Sequence, residues 1–237
     1  MAMDPESRKK IQLVLVAAIL IAGFRAGYVV YDRYAQRKAE EKPKQEVALK
    51  ADYYVTPKKL YLYDLKSAQE LTKQPVWMKV GYGYTYYPYD RSKHKADFAH
   101  EAGTLGPLQK LQVLDVVTGV APEAPGTKQI LATFELDGKP YAVPIGAEAG
   151  GDYKFHADEM FFIQDPHELY KHWPADVWAA IDHHEVLKGM SELQAGFALG
   201  MISAQSGNEY GSQTLTYAND GKPVTITFRG DKAVEIK

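Results

Sequence analysis

Apolar positions follow three different rhythms along this chain. Residues 11–31, IQLVLVAAILIAGFRAGYVVY, are apolar almost without a break and come directly after Arg8, Lys9 and Lys10. A helix of that length reaches about 31 Å, close to the hydrocarbon thickness of a bilayer. The run therefore predicts a transmembrane anchor carrying Ile11, Leu15, Ile19 and Phe24, with Arg25 snorkelling to the interface beside Tyr28 and Tyr31. A cleaved signal peptide begins in the same way, but small residues wanted at the cleavage site would meet Phe24 and Ala26. The expectation is an uncleaved single pass through the cytoplasmic (inner) membrane with the basic tail 1–10 inside. Arg33, Arg37, Lys38, Lys42 and Lys44 pull the other way, yet long domains translocate largely regardless of charge. The soluble part is accordingly expected on the periplasmic or extracellular side.

Residues 32–52 (DRYAQRKAEEKPKQEVALKAD) have no sustained apolar face and read as a charged linker. From Tyr53 the rhythm becomes that of short strands: YYVTPKKLYLYDL, VWMKVGYGYTYYPY, LQKLQVLDVVTG, QILATFELDG, KPYAVPIG and EMFFIQ. Asp137-Gly138 between two alternating runs is a strong hairpin signal, and Pro107, Pro122, Pro125 and Gly126 punctuate the other gaps. Residues 53–164 are thus expected to form a small, strongly bent antiparallel barrel or sandwich.

A third rhythm begins near Asp165-Pro166. In WPADVWAAIDHHEVLKG, Trp173, Val177, Trp178 and Ile181 recur at helical spacing, with Pro174 in the first turn and Gly189 as a stop. SELQAGFALG predicts a second helix capped by Ser191. TLTYA, PVTITF and AVEIK then alternate apolar and polar residues, joined by Asn219-Asp220-Gly221 and Gly230-Asp231. Residues 165–237 are expected to be two helices followed by a three-stranded meander. The fold class is α+β: an N-terminal transmembrane helix, a small β-barrel, and this ααβββ domain.

Composition narrows the function classes. A formal net charge of −2 over 237 residues supplies no field for nucleic acid. The absence of cysteine removes disulfides, thiolate metal sites and cysteine nucleophiles together. Tyrosine is in excess, with 17 copies, concentrated in Tyr53 to Tyr89, where nine of them lie.

Gly189-Met190-Ser191-Glu192-Leu193-Gln194, followed by Leu199-Gly200, Tyr217, Val224-Thr225-Ile226-Thr227-Phe228 and Lys232-Ala233-Val234, resembles the BamE (SmpA/OmlA) domain over about residues 174–237. The proline that commonly follows the Leu-Gly in that family is replaced here by Met201-Ile202, and the lipidated cysteine of its outer-membrane members is missing. Residues 53–163 resemble a bacterial SH3-like barrel, through Val76-Trp77-Met78-Lys79-Val80 and Ala142-Val143-Pro144-Ile145-Gly146. The resemblances imply adaptor-like modules of a cell-envelope assembly.

Catalytic patterns are thin. His167 and His172 are five apart, which turns the second about 140° from the first on a helix and off a shared metal face. Asp182-His183-His184-Glu185 diverge as consecutive helical residues do. Gly81-Tyr82-Gly83 lacks the third glycine and the following helix of a nucleotide loop. No enzyme activity, cofactor or metal is expected. Trp173 and Trp178 read as packing residues. The site candidates are Tyr82, Tyr84, Tyr86, Tyr87 and Tyr89, where alternate rings share a strand face. The expected function is that of a membrane-anchored accessory or scaffolding protein making protein–protein contacts in a membrane-associated complex. The alternative is a cell-envelope module that binds glycan or peptide.

Overall fold

The computed structural model describes residue 16 and residues 21–35, 51–79, 83–120 and 124–237. The chain divides into two units, Met1–Lys50 and Ala51–Lys237. In the first, residues 21–35 form a helix, α1, which bears Phe24, Arg25, Tyr28 and Tyr31, all of them exposed. The expected transmembrane helix is corrected here: among the described residues, no helix is long and apolar enough to cross a membrane. The fifteen described residues of α1 span about 22 Å and include Arg25, Asp32 and Arg33. Ile11, Leu15 and Ile19 lie outside the described residues, as do the tail 1–10 and most of the linker 32–52.

The second unit opens with a single 3-10 turn, Ala51–Tyr54, and a short helix, α2 (Leu65–Ala68), which Asp64 and Ser67 close with a reciprocal capping box. Strands then follow: β1 (Val76–Met78), β2 (Tyr84–Asp90), β3 (Lys95–Ala96), β4 (Gly103–Leu105), β5 (Lys110–Leu111), β6 (Asp115–Val120), β7 (Thr127–Leu136), β8 (Lys139–Ala149) and β9 (Asp152–Phe155). Seven of them make one sheet in the order β3-β2-β8-β7-β6, with β4 added to β2 and β9 to β8. The hairpin β7–β8 is its spine. Asp137 and Gly138 take φ of 49° and 73°, the left-handed pair that a two-residue turn between twisted strands requires. A register shift between Ile130 and Leu131 bends the hairpin. Beyond it β9 comes so close that a Cβ on Gly146 would lie 2.2 Å from the Lys154 carbonyl oxygen. One face of this curved sheet covers a core that includes Leu105, Ile130, Phe134, Val143, Ile145 and Met160. Its other face carries a smaller cluster of Tyr89, Ala96, Leu131 and Ala142.

After α3 (Ala157–Met160), strand β10 (Phe161–Phe162) pairs with β1, which pairs in turn with β5. This three-stranded sheet is a wall between two cores. Side chains alternate across a strand, so Val76, Met78, Leu111 and Phe161 enter the barrel core, while Trp77 and Phe162 enter the core of the C-terminal part. Trp77 lies directly opposite Phe162.

That second core is built on α4 (Pro166–Leu169), α5 (Ala175–Asp182) and α6 (Glu192–Leu199), packed on a sheet of β11 (Ile202–Ser206), β12 (Thr214–Tyr217), β13 (Val224–Phe228) and β14 (Ala233–Ile236). The expected three-stranded meander is corrected to four strands, because ISAQS pairs with β12 from Ile202↔Tyr217 to Ser206↔Thr214. Leu215, Tyr217, Ile226 and Phe228 face the helices and are buried. On the opposite face the threonine hydroxyls pair across the strands, Thr214 with Thr227 at 3.2 Å and Thr216 with Thr225 at 2.9 Å.

Candidate functional site: an open strand edge

Strand β11 ends its sheet, pairing with β12 alone. Antiparallel pairing turns alternate N–H and C=O groups to either side, so among the described residues its second row of backbone groups meets no other strand. Every residue from Met201 to Tyr210 is exposed, with Met201 and Ile202 each 45% accessible. From Met201 to Asn208 there is no charge and no proline. Natural sheets protect their edges with such residues, and the opposite edge does so: β14 is flanked or occupied by Lys232, Glu235 and Lys237. The β11 edge has neither charge nor proline, and its one irregularity is a register shift between Ile202 and Ala204, which leaves Ala204–Ser206 in regular pairing.

Polar side chains behind the edge fix its position. Glu192, buried in the first turn of α6, accepts from the Gly211 backbone N–H at 2.7 Å and from Gln213 Nε2 at 2.9 Å. Gln213 Oε1 in turn accepts from Gln205 Nε2 on β11 at 2.7 Å, and Ser203 Oγ donates to the Thr216 carbonyl at 3.1 Å. A buried carboxylate on a helix thus holds the outermost strand through one glutamine, so the edge is ordered before any partner arrives.

The tyrosine strand is β2. Tyr82 lies outside the described residues. Tyr84 and Tyr86 are half-buried and pack against the barrel core; the Tyr86 ring meets Phe134 and Tyr141 edge-on at 5.8 and 5.0 Å. Tyr87 and Tyr89 point to the other face, where Tyr87 meets Phe98 edge-on at 5.0 Å and Tyr89 is 7% exposed. Burial raises the pKa of Tyr86 and Tyr89 above the ordinary phenol value. The four described tyrosines therefore divide between two packed faces instead of forming one presented row.

The residues with catalytic potential do not converge. His167 stacks on Trp178 with ring centroids 4.0 Å apart and lies 3.2 Å from Asp165 and 3.3 Å from Asp182. His172 Nε2 is 2.5 Å from Asp52 Oδ1, which also accepts from Trp173 Nε1 at 2.7 Å. His184 Nδ1 is 3.0 Å from the Ala198 carbonyl, while His183 and Glu185 are exposed. Trp173 and Trp178 are buried beside Tyr170 and Phe197. Among the described residues no group of three or more acidic or histidine side chains could hold a metal ion. Lys79 donates to the Asp158 carbonyl and lies 5.3 Å over the Phe162 ring; burial lowers its pKa. Its ammonium is engaged in joining β1 to α3 and β10. Gly81 and Tyr82 of the glycine pair fall outside the described residues, and Gly83 is exposed.

No family model, curated protein or solved structure matches this chain.

Proposed function

We propose that residues 51–237 are a non-enzymatic protein-interaction module, an accessory or scaffolding subunit of a larger assembly, and that β11 is where a partner docks by adding a strand. The observation that carries this reading is the uncharged, exposed and pre-ordered edge Ile202–Ser206. Backbone groups recognise backbone, so the partner is an extended protein segment, with affinity from main-chain hydrogen bonds and selectivity from alternate side chains. Met201 and Ile202 call for apolar residues opposite them. A second copy of this chain would not provide them: in the antiparallel register that overlaps the whole strand, Ile202 would face Ser206 and Met201 would face Gly207.

The test uses the full chain purified with its crosslinked partner from native cells. Ala204→Lys places a charge on the open edge, and Val234→Lys places one on the already guarded edge as a control. Loss of the complex with Ala204→Lys alone, at unchanged melting temperature, is the expected result. A complex insensitive to Ala204→Lys, or a homodimer that this substitution dissolves, refutes the reading.

A further inference from the structure

Away from β11, a cleft of about 780 Å³ opens between the tips of two hairpins, β2–β3 and β7–β8. Its volume lies in the range of small-ligand sites, about 300–1,000 Å³. Arg91 and Glu135, 2.7 Å apart, tie the two tips together and set the width. Pro88, Pro140 and Tyr141 give it flat apolar walls, and Lys93, Lys95 and Lys139 bring three ammonium groups to it.

Charge accounting across the cleft selects the ligand. Asp90 is committed to its own turn: Oδ1 accepts from the Ser92 hydroxyl and the Ser92 and Lys93 backbone N–H groups, and Oδ2 lies 3.2 Å from Lys93 Nζ. Asp97 is held by His100 Nδ1 at 2.9 Å and by the Ala99 N–H at 3.2 Å. Lys95 and Lys139 have no carboxylate within 4 Å among the described residues. Lys139 thus lacks a carboxylate partner, and Lys95 acts on Asp97 only through space, helping to hold its carboxyl low; both line the cleft with Pro88, Pro140 and Tyr141, beside carboxylates that retain lone pairs for hydroxyl donors.

We infer that this cleft binds an acidic saccharide, with Lys95 and Lys139 holding the sugar carboxylates, Pro88, Pro140 and Tyr141 meeting the ring faces, and Asp97 accepting from ring hydroxyls. An acidic peptide fits less well, because it would bring carboxylates against Asp90 and Asp97 without hydroxyls to donate to them.

The experiment is titration calorimetry on the full chain with trigalacturonate, alongside maltotriose, triglutamate and inorganic phosphate. Trigalacturonate should bind, and weaken as salt rises. Lys95→Ala with Lys139→Ala should reduce its affinity at least tenfold with the melting temperature unchanged, while Lys188→Ala on a distant surface should not. No binding of trigalacturonate overturns the inference. Equal binding of maltotriose overturns the role of the lysines, and equal binding of triglutamate or phosphate shows a general anion site in place of a saccharide site. Affinity that survives the double substitution places the sugar elsewhere.

Discussion

Asp52 and Trp173, 121 positions apart, are joined by one hydrogen bond: the indole Nε1–H donates to the carboxylate Oδ1 at 2.7 Å. His172 reaches the same oxygen, and Val55 packs on the core beneath. The first turn of the second unit is thus sewn to its aromatic cluster. Asp52→Ala leaves a buried indole N–H without its acceptor and should cost about 1–3 kcal/mol. Asp52→Asn keeps an acceptor oxygen and should cost less. Urea unfolding followed by tryptophan fluorescence reads both, and equal losses would show that the hydrogen bond is not what matters.

Tyr86 distinguishes packing from presentation. Its ring touches Phe134 and Tyr141, so Tyr86→Ser should destabilise by about 2–3 kcal/mol, under the about 3–5 of a fully buried ring. Thermal denaturation measures the loss. A variant as stable as the parent would return this ring to the list of contact residues.

At Gly146 the neighbouring strand leaves no room for a side chain. Gly146→Ala would drive a methyl group into the Lys154 carbonyl, and backbone there cannot swing aside as a side-chain tip can. The β8–β9 pairing Gly146↔Phe155 should open. Amide exchange at Lys154 and Phe155 is expected to accelerate while that of β7 changes little. Unchanged protection would mean that β9 can shift without cost.

Acid should loosen the β2–β3 turn. The Ser92 hydroxyl, followed by the Lys93 backbone and side chain, holds the Asp90 carboxyl down at about 2. Because the folded value is depressed, the stabilisation is complete above the ordinary carboxyl value of 3.8 and disappears as pH falls through about 2. A carboxyl-carbon titration by NMR should place the Asp90 midpoint well below that of an exposed aspartate, and Asp90→Asn should remove the acid sensitivity of the turn. A midpoint near 4 would refute the account.

Local chemistry made some elements legible from sequence. The β7–β8 turn could be read because Asp137-Gly138 supplies the left-handed conformations that the hairpin needs. Helix α6 was marked by Ser191, whose hydroxyl accepts from the Gln194 N–H while the Gln194 side chain reaches back. Strand β11 was hidden for the opposite reason. ISAQS has no apolar alternation, since neither of its faces is buried, and Ser206-Gly207-Asn208 reads as the loop that closes it. The uncharged run before Glu209 begins at Leu193, inside α6, so charge alone does not mark where the edge starts. For the tyrosines, alternation shows a strand, but nothing local tells which of its faces the rest of the chain covers. The transmembrane reading weighed apolar content over residues 11–31, whereas the described helix extends past it to Asp32 and Arg33.

The wall formed by β1, β5 and β10 has a consequence for inheritance. Trp77 comes from the barrel half of the chain yet belongs to the C-terminal core, and its neighbour Phe162 ends the barrel half while serving the same core. A recombination breakpoint between residues 164 and 165 would give one descendant a C-terminal core missing two of its aromatic residues, and the other an indole and a phenyl ring turned to water. The two halves can be traded only together, so this unit should pass between proteins whole, from Ala51 to Lys237, or not at all.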